Sequence, residues 1–391
     1  SKSLAGVGVM FYVLLQLRAL LRERGAYAAA PQPKLDTLLP LVALGTVADL
    51  VTLDQNTRIL VERGLKRIRS GQGNPGIRAQ LMVAGCDPNR AVARDLGFQA
   101  GPRLNAAGRL EDMSLGVECL LTDDPDQALA IARQLDELNR RRREIENDMK
   151  QEAEAALATL HLEPGGLPPA LCLFEPGWHQ GVIGILAARV RERWHRPAIA
   201  FAPGDEGLLR GSARSVEGLH IRDLIDAVDK RQPGLIVRFG GHAMAAGLTL
   251  AEAALEPFRQ AFCQAVRDEL GDAPLVREIL SDGELPPQAF DLATAQALRH
   301  AGPWGKGFPE PLFDGIFRVL GRKRLGNGEH LRLHLRAENG VGLPIEGIGF
   351  RRGDQHDGAG DRVRLAYRLD VNEFRGEFKP QLILEHLEWI E

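Results

Sequence analysis

The stretch Pro125–Leu160 reads PDQALAIARQLDELNRRRREIENDMKQEAEAALATL; it is rich in Ala, Leu, Glu and Arg, and its one proline is its first residue. Five of its residues follow one another at steps of three and four positions and so share one face of a helix, which predicts one long helix. These positions are Leu135, Leu138, Arg142, Ile145 and Met149. The sequence EPGGLPP at Glu163–Pro169 then breaks the pattern. We therefore expect a connecting helix over residues 125–162, with a domain at each end.

Downstream of this breaker, apolar strand-like runs alternate with glycine-containing loops and helical patterns. This alternation predicts an α/β domain over residues 163–275. The expected strands are Ala170–Phe174, Pro197–Ala202, Leu208–Ser212 and Leu235–Phe239, and the expected helices are Ile185–Arg193, Ile221–Lys230 and Glu252–Leu270.

Beyond Pro286 the apolar residues occupy every second position, as in a half-buried strand. His330–Arg336 and Val363–Val371 show this alternation, and Ile345–Phe350 and Gln381–Trp389 add further apolar runs. The pattern predicts a small antiparallel β domain over residues 276–391, in the form of a partly open barrel.

The first part of the chain, residues 1–124, has a mainly helical pattern. Apolar residues at helical spacing predict helices at Ser1–Gly25 and Asn56–Arg69. Between them, Leu38–Leu53 is a nearly continuous apolar run that contains one carboxylate, Asp49. An ionised carboxylate is costly to bury unless a cation or hydrogen-bond donors compensate it. Two interpretations of Asp49 therefore stay open, a metal ligand and a capping residue beside a turn.

Composition excludes several classes of protein. The 391 residues include 49 Lys and Arg against 52 Asp and Glu, a net charge of −3, so any nucleic-acid binding must come from local patches. The four cysteines are scattered, which argues against a cysteine zinc site or a disulfide scaffold and fits a reducing cytoplasm. Gln16 and Arg18 interrupt the apolar stretch Leu4–Leu21, so no membrane span is expected there. The stretch has neither a basic n-region nor a small-residue cleavage site, so no signal peptide is expected either.

A group of hydrogen-bond donors lies in Gly101–Arg109, which reads GPRLNAAGR. Two arginines and an asparagine among small residues predict a loop that a phosphate could approach closely. The alternative is an ordinary loop in which Arg103 or Arg109 pairs with acidic neighbours such as Glu111 and Asp112.

Three polar motifs follow predicted strands of the α/β domain. Gly177–Gly184 (GWHQGVIG) leads into a helix, and its glycines let backbone N–H groups approach an anion there. Gly211–Ser215 (GSARS) offers hydroxyls and a guanidinium, again suited to an oxyanion. Gly240–Gly247 (GGHAMAAG) places His242 among small residues, where it can donate to phosphate or transfer a proton. The first motif is equally well explained as a tight turn, and His242 as a structural histidine.

In their order along the chain, these motifs resemble those of the RecJ family in the DHH phosphoesterase superfamily. The resemblance rests on VALGTVAD (Val42–Asp49), GPRLNAAGRL (Gly101–Leu110), GWHQGVIGI (Gly177–Ile185), GSARS, GGHAMAAG and GPWGKGFPEPLF (Gly302–Phe313). It implies an α/β protein with a two-lobed DHH/DHHA1 core joined by the long helix, plus a C-terminal OB-like β-barrel domain. Residues 1–124 would then be the C-terminal part of the DHH catalytic domain, 163–275 the DHHA1 domain and 276–391 the OB-like domain.

The resemblance also implies a function, a 5′-to-3′ exonuclease specific for single-stranded DNA that uses Mn²⁺ or Mg²⁺ in DNA recombination and repair. A helicase and a single-strand-binding protein would be its partners, with no membrane involved. Asp49 would bind metal, and Arg103, Asn105 and Arg109 would face the 5′ end of the strand. The second lobe would grip the nucleotide through His179, Gln180, Ser212, Arg214, Gly240, Gly241 and His242, the last also as a catalytic group.

One departure from the family pattern matters. The Asp-His-His triplet that gives the superfamily its name does not occur in these 391 residues. Two-metal catalysis needs several ligands around ions about 3.5–4 Å apart, and Asp49 alone cannot supply them. We therefore expect a segment ahead of Ser1, and we expect the printed chain to bind single-stranded DNA weakly and to cleave it poorly or not at all.

Two other functions are compatible with the same motifs. A phosphodiesterase for short oligonucleotides or cyclic dinucleotides shares the GGH lobe, but would normally lack the long helix and the terminal β domain. A non-catalytic nucleic-acid-binding or replication scaffold is the other. Retention of Asp49 beside an intact GGHAMAAG argues against the scaffold.

Overall fold

The computed structural model describes residues 1–110, 112–159, 167–271, 275–338, 342–358, 360–374 and 376–390. The chain divides into two compact units. The first unit comprises Ser1–Arg140 and Ile279–Glu391, and the second comprises Arg141–Glu278.

Helices build the first part of the first unit: α1 (Gly6–Glu23), α2 (Leu39–Ala48), α3 (Gln55–Arg69), α4 (Pro75–Val83), the single turn α5 (Ala93–Asp95), α6 (Gly101–Leu110) and α7 (Ser114–Leu121). Helix α3 begins at Asp54, whose carboxylate accepts the backbone N–H of Thr57 at 2.9 Å. Helices α2 and α3 pack closely, because a Cβ on Gly64 would lie only 2.4 Å from the carbonyl oxygen of Leu39. The apolar run ahead of Asp49 forms the partly buried helix α2, which ends at Ala48 with Asp49 as its C-cap.

The predicted connecting helix is present as α8 (Pro125–Thr159), which belongs to both units. Leu135 and Leu138 are buried, whereas Ile145 is 46% exposed. The helical period was therefore sufficient to predict the helix, but the apolar stripe lines a core only along part of it.

A five-stranded sheet organises the second unit. Its strands are β1 (Leu171–Phe174), β2 (Ala198–Pro203), β3 (Leu208–Arg214), β4 (Arg238–His242) and β5 (Ala245–Ala251), in the order β1-β2-β3-β5-β4. Strands β1 and β2 are parallel and the other neighbours are antiparallel. This confirms the predicted α/β domain, with β4 beginning three residues later than the expected strand at Leu235.

The two faces of this sheet differ. One face packs on helices α10 (Ile221–Arg231) and α11 (Leu255–Leu270), with Phe201 and Phe258 fully buried between them. The other face packs on α9 (Ile183–Trp194), where Leu186 meets Ala200. Helix α9 contacts β2 and β3.

The C-terminal β domain belongs to the first unit. After α12 (Leu292–His300) come β6 (Phe313–Leu325), β7 (His330–Ala337), β8 (Ile345–Gly349), β9 (Arg362–Phe374) and β10 (Glu377–Ile390). They close into a barrel in the order β10-β8-β7-β6-β9, because β9 pairs with both β6 and β10. The predicted barrel is thus present, but it is closed rather than partly open, and its β8–β10 pair is parallel where an antiparallel domain was expected. No helix among the described residues is long and apolar enough to cross a membrane.

Candidate nucleic-acid interface

A row of polar side chains lies on the α9 side of the sheet, on strands β3, β5 and β4. Ser212 pairs with Gly247, which pairs in turn with Gly240. One step along the strands, Arg214 pairs with Ala245, which pairs with His242. Because paired residues share a face of a sheet, Ser212, Arg214, Gly240 and His242 lie on one surface. The structure therefore brings together the predicted residues of GSARS and GGHAMAAG.

Arg214 is a half-buried cation on this surface. Its Nη1 donates to the Ser212 hydroxyl at 3.1 Å and to the carbonyl of Ala213 at 2.9 Å. Burial lowers the pKa of Arg214, and the nearby charge of Arg191 lowers it further. No acidic side chain among the described residues forms an ion pair with Arg214. A cation in this position is stabilised by a bound anion.

The N-terminal turn of α9 meets the same point. A Cβ on Gly184 would lie 3.2 Å from Nη2 of Arg214 and 3.4 Å from Oγ of Ser212. The first N–H groups of a helix have no partner within the helix and attract anions. The sequence analysis proposed this anion site for GWHQGVIG, and the structure places Gly184 beside the arginine and hydroxyl of GSARS.

His179 and Gln180 lie in the turn between β1 and α9, and both are exposed. Nδ1 of His179 accepts the backbone N–H of Gly181 at 3.1 Å, and the Gln180 amide donates to the carbonyl of Pro203 at 3.1 Å. These two hydrogen bonds hold the turn against the end of β2. The imidazole ring of His179 and the side chain of Gln180 nevertheless remain exposed to solvent.

The GGHAMAAG motif forms a β-hairpin and not a run of small residues after a strand. Gly240, Gly241 and His242 end β4, and β5 begins at Ala245. Gly241 has φ +151°, and a Cβ there would lie 2.4 Å from the carbonyl oxygen of Ala245, so only glycine fits. The exposed His242 accepts the backbone N–H of Met244 on Nδ1 at 3.4 Å, the arrangement of the tautomer with its proton on Nε2.

Two arginines on this surface were missed by the sequence analysis. Arg210 pairs with Thr249, which pairs with Arg238 in the row next to Ser212. The Arg238 guanidinium donates to the Thr249 hydroxyl at 3.3 Å. The alternation of Arg210, Ser212 and Arg214 along β3 could have indicated from sequence that these side chains share one face of a strand. Only the register with β5 and β4 shows that Arg238 lies on the same surface.

Asp49 caps the C-terminus of α2 and is exposed. The following residue, Leu50, has φ +51° and turns the chain away from the helix. A carboxylate at the negative end of a helix is unfavourable unless a cation lies near it. No group of three or more His, Cys, Asp or Glu able to hold a metal ion occurs among the described residues. Asp49, the predicted metal ligand, therefore has no such group around it in the described part of the chain, and this does not fit a complete two-metal centre.

The GPRLNAAGRL prediction requires a correction, since this segment is helix α6 and not a loop. Arg103 is 6% exposed, and its Nε and Nη2 lie 2.9 and 2.8 Å from Oδ1 of Asp136. Its Nη1 donates to the carbonyl of Gln99 at 2.8 Å. The acidic partner is thus on α8, and not the expected neighbour Asp112. Arg103, Gln99 and Asp136 all lie in the first unit, where the side chain of Arg103 links α6 to α8.

The other two polar residues of α6 differ from Arg103. Asn105 is exposed, with its side chain available to a ligand. The backbone of Arg109 is helical, and its side chain lies outside the part of the chain that the structure describes.

Comparisons with known proteins agree with this architecture. Two family models match, the DHHA1 domain over residues 168–268 and the RecJ OB domain over residues 281–386. The single-stranded-DNA-specific exonuclease RecJ of Dickeya dadantii (strain 3937) is 52% identical over 391 residues, which cover 99% of this chain and 68% of the relative. The same enzyme of Escherichia coli (strain K12) is 49% identical over 391 residues, covering 99% and 67%.

Solved structures show the same likeness. RecJ from Thermus thermophilus in complex with Mg²⁺ matches with a TM-score of 0.70 and 29% identity, over 97% of this chain and 55% of that chain. Its complex with Mn²⁺ matches with a TM-score of 0.69 and 28% identity, over 97% and 52%. The chain thus spans about two thirds of these curated relatives and about half of the solved chains. Since the matches run through the helical part, the sheet unit and the barrel alike, the chain belongs to the RecJ family.

Proposed function

We propose that this chain is the strand-gripping part of a single-stranded-DNA-specific exonuclease that acts 5′-to-3′ in DNA recombination and repair. The observation that carries the proposal is Arg214, a half-buried guanidinium that shares an open sheet face with Ser212 and has no acidic partner among the described residues. The residue types around it suit a phosphodiester better than a neutral ligand. The names of the curated relatives support the same function.

The surface suggests what each residue does. Arg214 and the Ser212 hydroxyl bind a phosphate oxygen, assisted by the N-terminal turn of α9. Gly240 has open space where a side chain would be, and a Cβ on Gly247 would meet only the carbonyl oxygen of Gly211 at 3.9 Å, so the sugar and phosphate can approach the backbone. His242 donates from Nε2 to a second phosphate oxygen, and it is our candidate for the group that transfers a proton. Arg210 and Arg238 extend the cationic surface along the strands.

Divalent metal use is part of the same proposal. The solved relatives contain Mg²⁺ and Mn²⁺, and Asp49 is our candidate for one ligand of either ion. Because the described side chains cannot complete the centre, we assign no hydrolytic step to this chain. We expect the 391-residue chain alone to cleave single-stranded DNA poorly or not at all.

The domain limits remain a proposal too: 1–124 as part of the DHH domain, 125–162 as the connecting helix, 163–275 as DHHA1 and 276–391 as the OB-like domain. We also propose a helicase and a single-strand-binding protein as partners and the cytoplasm as location, which the free thiols Cys86, Cys119, Cys172 and Cys263 support.

The test is equilibrium binding of a short oligonucleotide, as single strand and as duplex, to wild type and Arg214→Gln. Hydrogen bonds to charged groups contribute about 1.5–3 kcal/mol, so the variant should bind the single strand about tenfold more weakly or worse. Arg222→Gln is the matched control, because Arg222 lies on α10 against the other sheet face. Equal affinity of wild type and Arg214→Gln, or a preference for duplex, would contradict the proposal.

A non-catalytic scaffold is the second candidate, favoured by the lack of a metal-holding group among the described residues. A 5′-phosphorylated strand and its 5′-hydroxyl twin distinguish the two. An exonuclease part should prefer the phosphate about tenfold, and Arg109→Ala, with Asn105→Ala beside it, should reduce that preference. A scaffold that binds along the strand would not distinguish the ends.

A further inference from the structure

Helix α7 presents a row of apolar side chains to solvent. Met113 at its N-cap is 44% exposed, Val117 49% and Leu121 73%. Because these residues recur at steps of four, they form one ridge along the helix, which we call the α7 ridge. The proposed strand grip does not use it.

The opposite side of α7 is firmly anchored. Cys119 is fully buried, and a Cβ on Gly76 of α4 would overlap the carbonyl oxygen of Cys119. The side chain of Asn74 donates to the carbonyl of Leu120 at 2.8 Å. The helix is therefore held in place from its inner side, and a partner that binds the ridge does not have to order this segment.

A groove with a volume of about 630 Å³ lies along the α7 ridge. The ridge residues line it together with Ser114, Thr122 and Gln127, the last of which belongs to the start of α8. An exposed apolar patch with a polar rim is typical of a surface that binds another protein. A ridge of residues at steps of four packs into the groove of a second helix, so an amphipathic helix is the shape that fits.

The charges around this groove have one sign. Asp112 and Glu118 line it, and no Lys or Arg is among its described lining residues. From Asp112 to Ala132 the chain has five acidic residues and no basic one, although the whole chain is nearly neutral. The charge of Asp112 is stabilised by the backbone N–H and hydroxyl of Ser114, both at 2.9 Å, and not by a described cation. The rim of the groove therefore favours a cationic partner.

The same charges argue against two other occupants. A second copy of this chain that docked through its own α7 would bring like charges together, and an anionic membrane would be repelled in the same way. We propose that the α7 ridge binds an amphipathic helix of a partner protein, whose apolar face covers Met113, Val117 and Leu121 and whose flanking Lys or Arg residues lie against Asp112 and Glu118. This inference does not depend on the proposed strand grip.

The probe is a synthetic peptide of about 18 residues, long enough to form a helix on binding. It consists of leucine and lysine, with the leucines at steps of three and four. The control peptide has the same residues in an order without helical spacing. By fluorescence anisotropy, the 391-residue chain should bind the helical peptide at least about tenfold more tightly than the control peptide.

A substitution on the ridge tests where the peptide binds. Leu121→Gln should weaken binding of the helical peptide about tenfold, because a leucine side chain then no longer becomes buried. Its unfolding midpoint in urea should match that of wild type, since Leu121 is largely exposed. Leu280→Gln is the matched control, because Leu280 is 84% exposed and lies outside the groove.

A second substitution tests the charge of the rim. Glu118→Gln should weaken binding about threefold and reduce its dependence on salt, as expected for an exposed ion pair. Glu144→Gln, which alters an exposed carboxylate of the second unit, should leave binding unchanged.

Three results would overturn the inference while leaving the Arg214 site intact. They are equal affinity for the two peptides, no loss of affinity in Leu121→Gln, and equal losses in Leu121→Gln and Leu280→Gln. Sedimentation equilibrium adds a fourth. If the wild-type chain self-associates and Leu121→Gln abolishes this, the ridge binds a second copy and not a basic helix.

Discussion

The backbone N–H of Leu53 donates to the carbonyl oxygen of Lys306 at 2.7 Å. Leu53 closes the short loop that follows Asp49, and Lys306 lies in the GPWGKGF turn ahead of the barrel. In that turn Trp304 and Phe308 stack with centroids 5.0 Å apart, and the guanidinium of Arg58 lies 3.9 Å above the Phe308 ring. The segment leading into the barrel therefore holds the loop beside the candidate metal ligand.

We expect Gly307→Ala to weaken this attachment. Gly307 has φ +76°, and a Cβ there would lie 2.6 Å from Cγ2 of Thr52. Backbone strain and the close contact together should lower the free energy of unfolding by about 2 kcal/mol, measured by urea denaturation. Gly71→Ala is the matched control, because Gly71 has φ +77° and open space around its Cα. If both variants lose the same stability, the contact with Thr52 contributes nothing.

Arg103 should prove structural. Removing the buried cation leaves the carboxylate of Asp136 with only the exposed Arg140, whose Nε lies 3.6 Å away, so Arg103→Ala should lower the free energy of unfolding by about 3 kcal/mol. The folded variant should bind single-stranded DNA with wild-type affinity at low temperature. Arg133→Ala, on an exposed position of α8, should change stability little. A loss of affinity without a loss of stability would restore the phosphate-binding role that the sequence suggested.

An element could be predicted from the sequence when interactions between residues close together in the chain determine it. Helix α8 was predicted from its helical periodicity and from the breaker at Glu163–Pro169 that follows it. Strand β7 was predicted from the alternation of its apolar and polar residues. The segment Gly101–Leu110 was misjudged because glycine, proline and asparagine usually indicate a loop. Here Pro102 follows the π-helical turn Leu96–Ala100, which continues into α6 without a break. The alanines Ala106 and Ala107 are fully buried.

The candidate site was only partly accessible from the sequence for a different reason. Its motifs were recognisable one by one, but their common surface depends on β5 lying between β3 and β4. The order of strands and their register are set by packing between distant segments. Arg210 and Arg238 were therefore missed, since they share a surface only through Thr249.

We expect Gly184→Ala to weaken single-strand binding without lowering the free energy of unfolding. A methyl group would crowd Nη2 of Arg214 and Oγ of Ser212, so single-strand affinity should fall severalfold. Alanine favours a helix over glycine by about 1 kcal/mol, so the free energy of unfolding should stay the same or rise. Gly177→Ala, with open space around it, should leave affinity unchanged. A Gly184→Ala protein with full affinity would show that the first turn of α9 does not belong to the binding site.

Asp95 should make stability fall as pH rises. Burial raises the pKa of Asp95 above its usual value, although the backbone N–H of Val92 and the charges of Arg299 and Arg94 act in the opposite direction. The folded state therefore holds the proton more tightly than the unfolded state. Stability is lost as pH increases from the unfolded pKa of about 4 to the raised folded pKa, and is constant above it.

Asp95→Asn tests this, because an amide cannot ionise and its oxygen can still accept the N–H of Val92, which lies 2.9 Å from the carboxylate. The difference in unfolding free energy, variant minus wild type, should increase from about pH 4 upward and then level off. For Asp112→Asn we expect the opposite change with pH in the unfolding free energy relative to wild type. The backbone N–H and hydroxyl of Ser114 lower the pKa of Asp112, so that variant should lose stability relative to wild type as pH rises. Parallel curves for wild type and Asp95→Asn would show that burial of Asp95 carries no penalty for its charge.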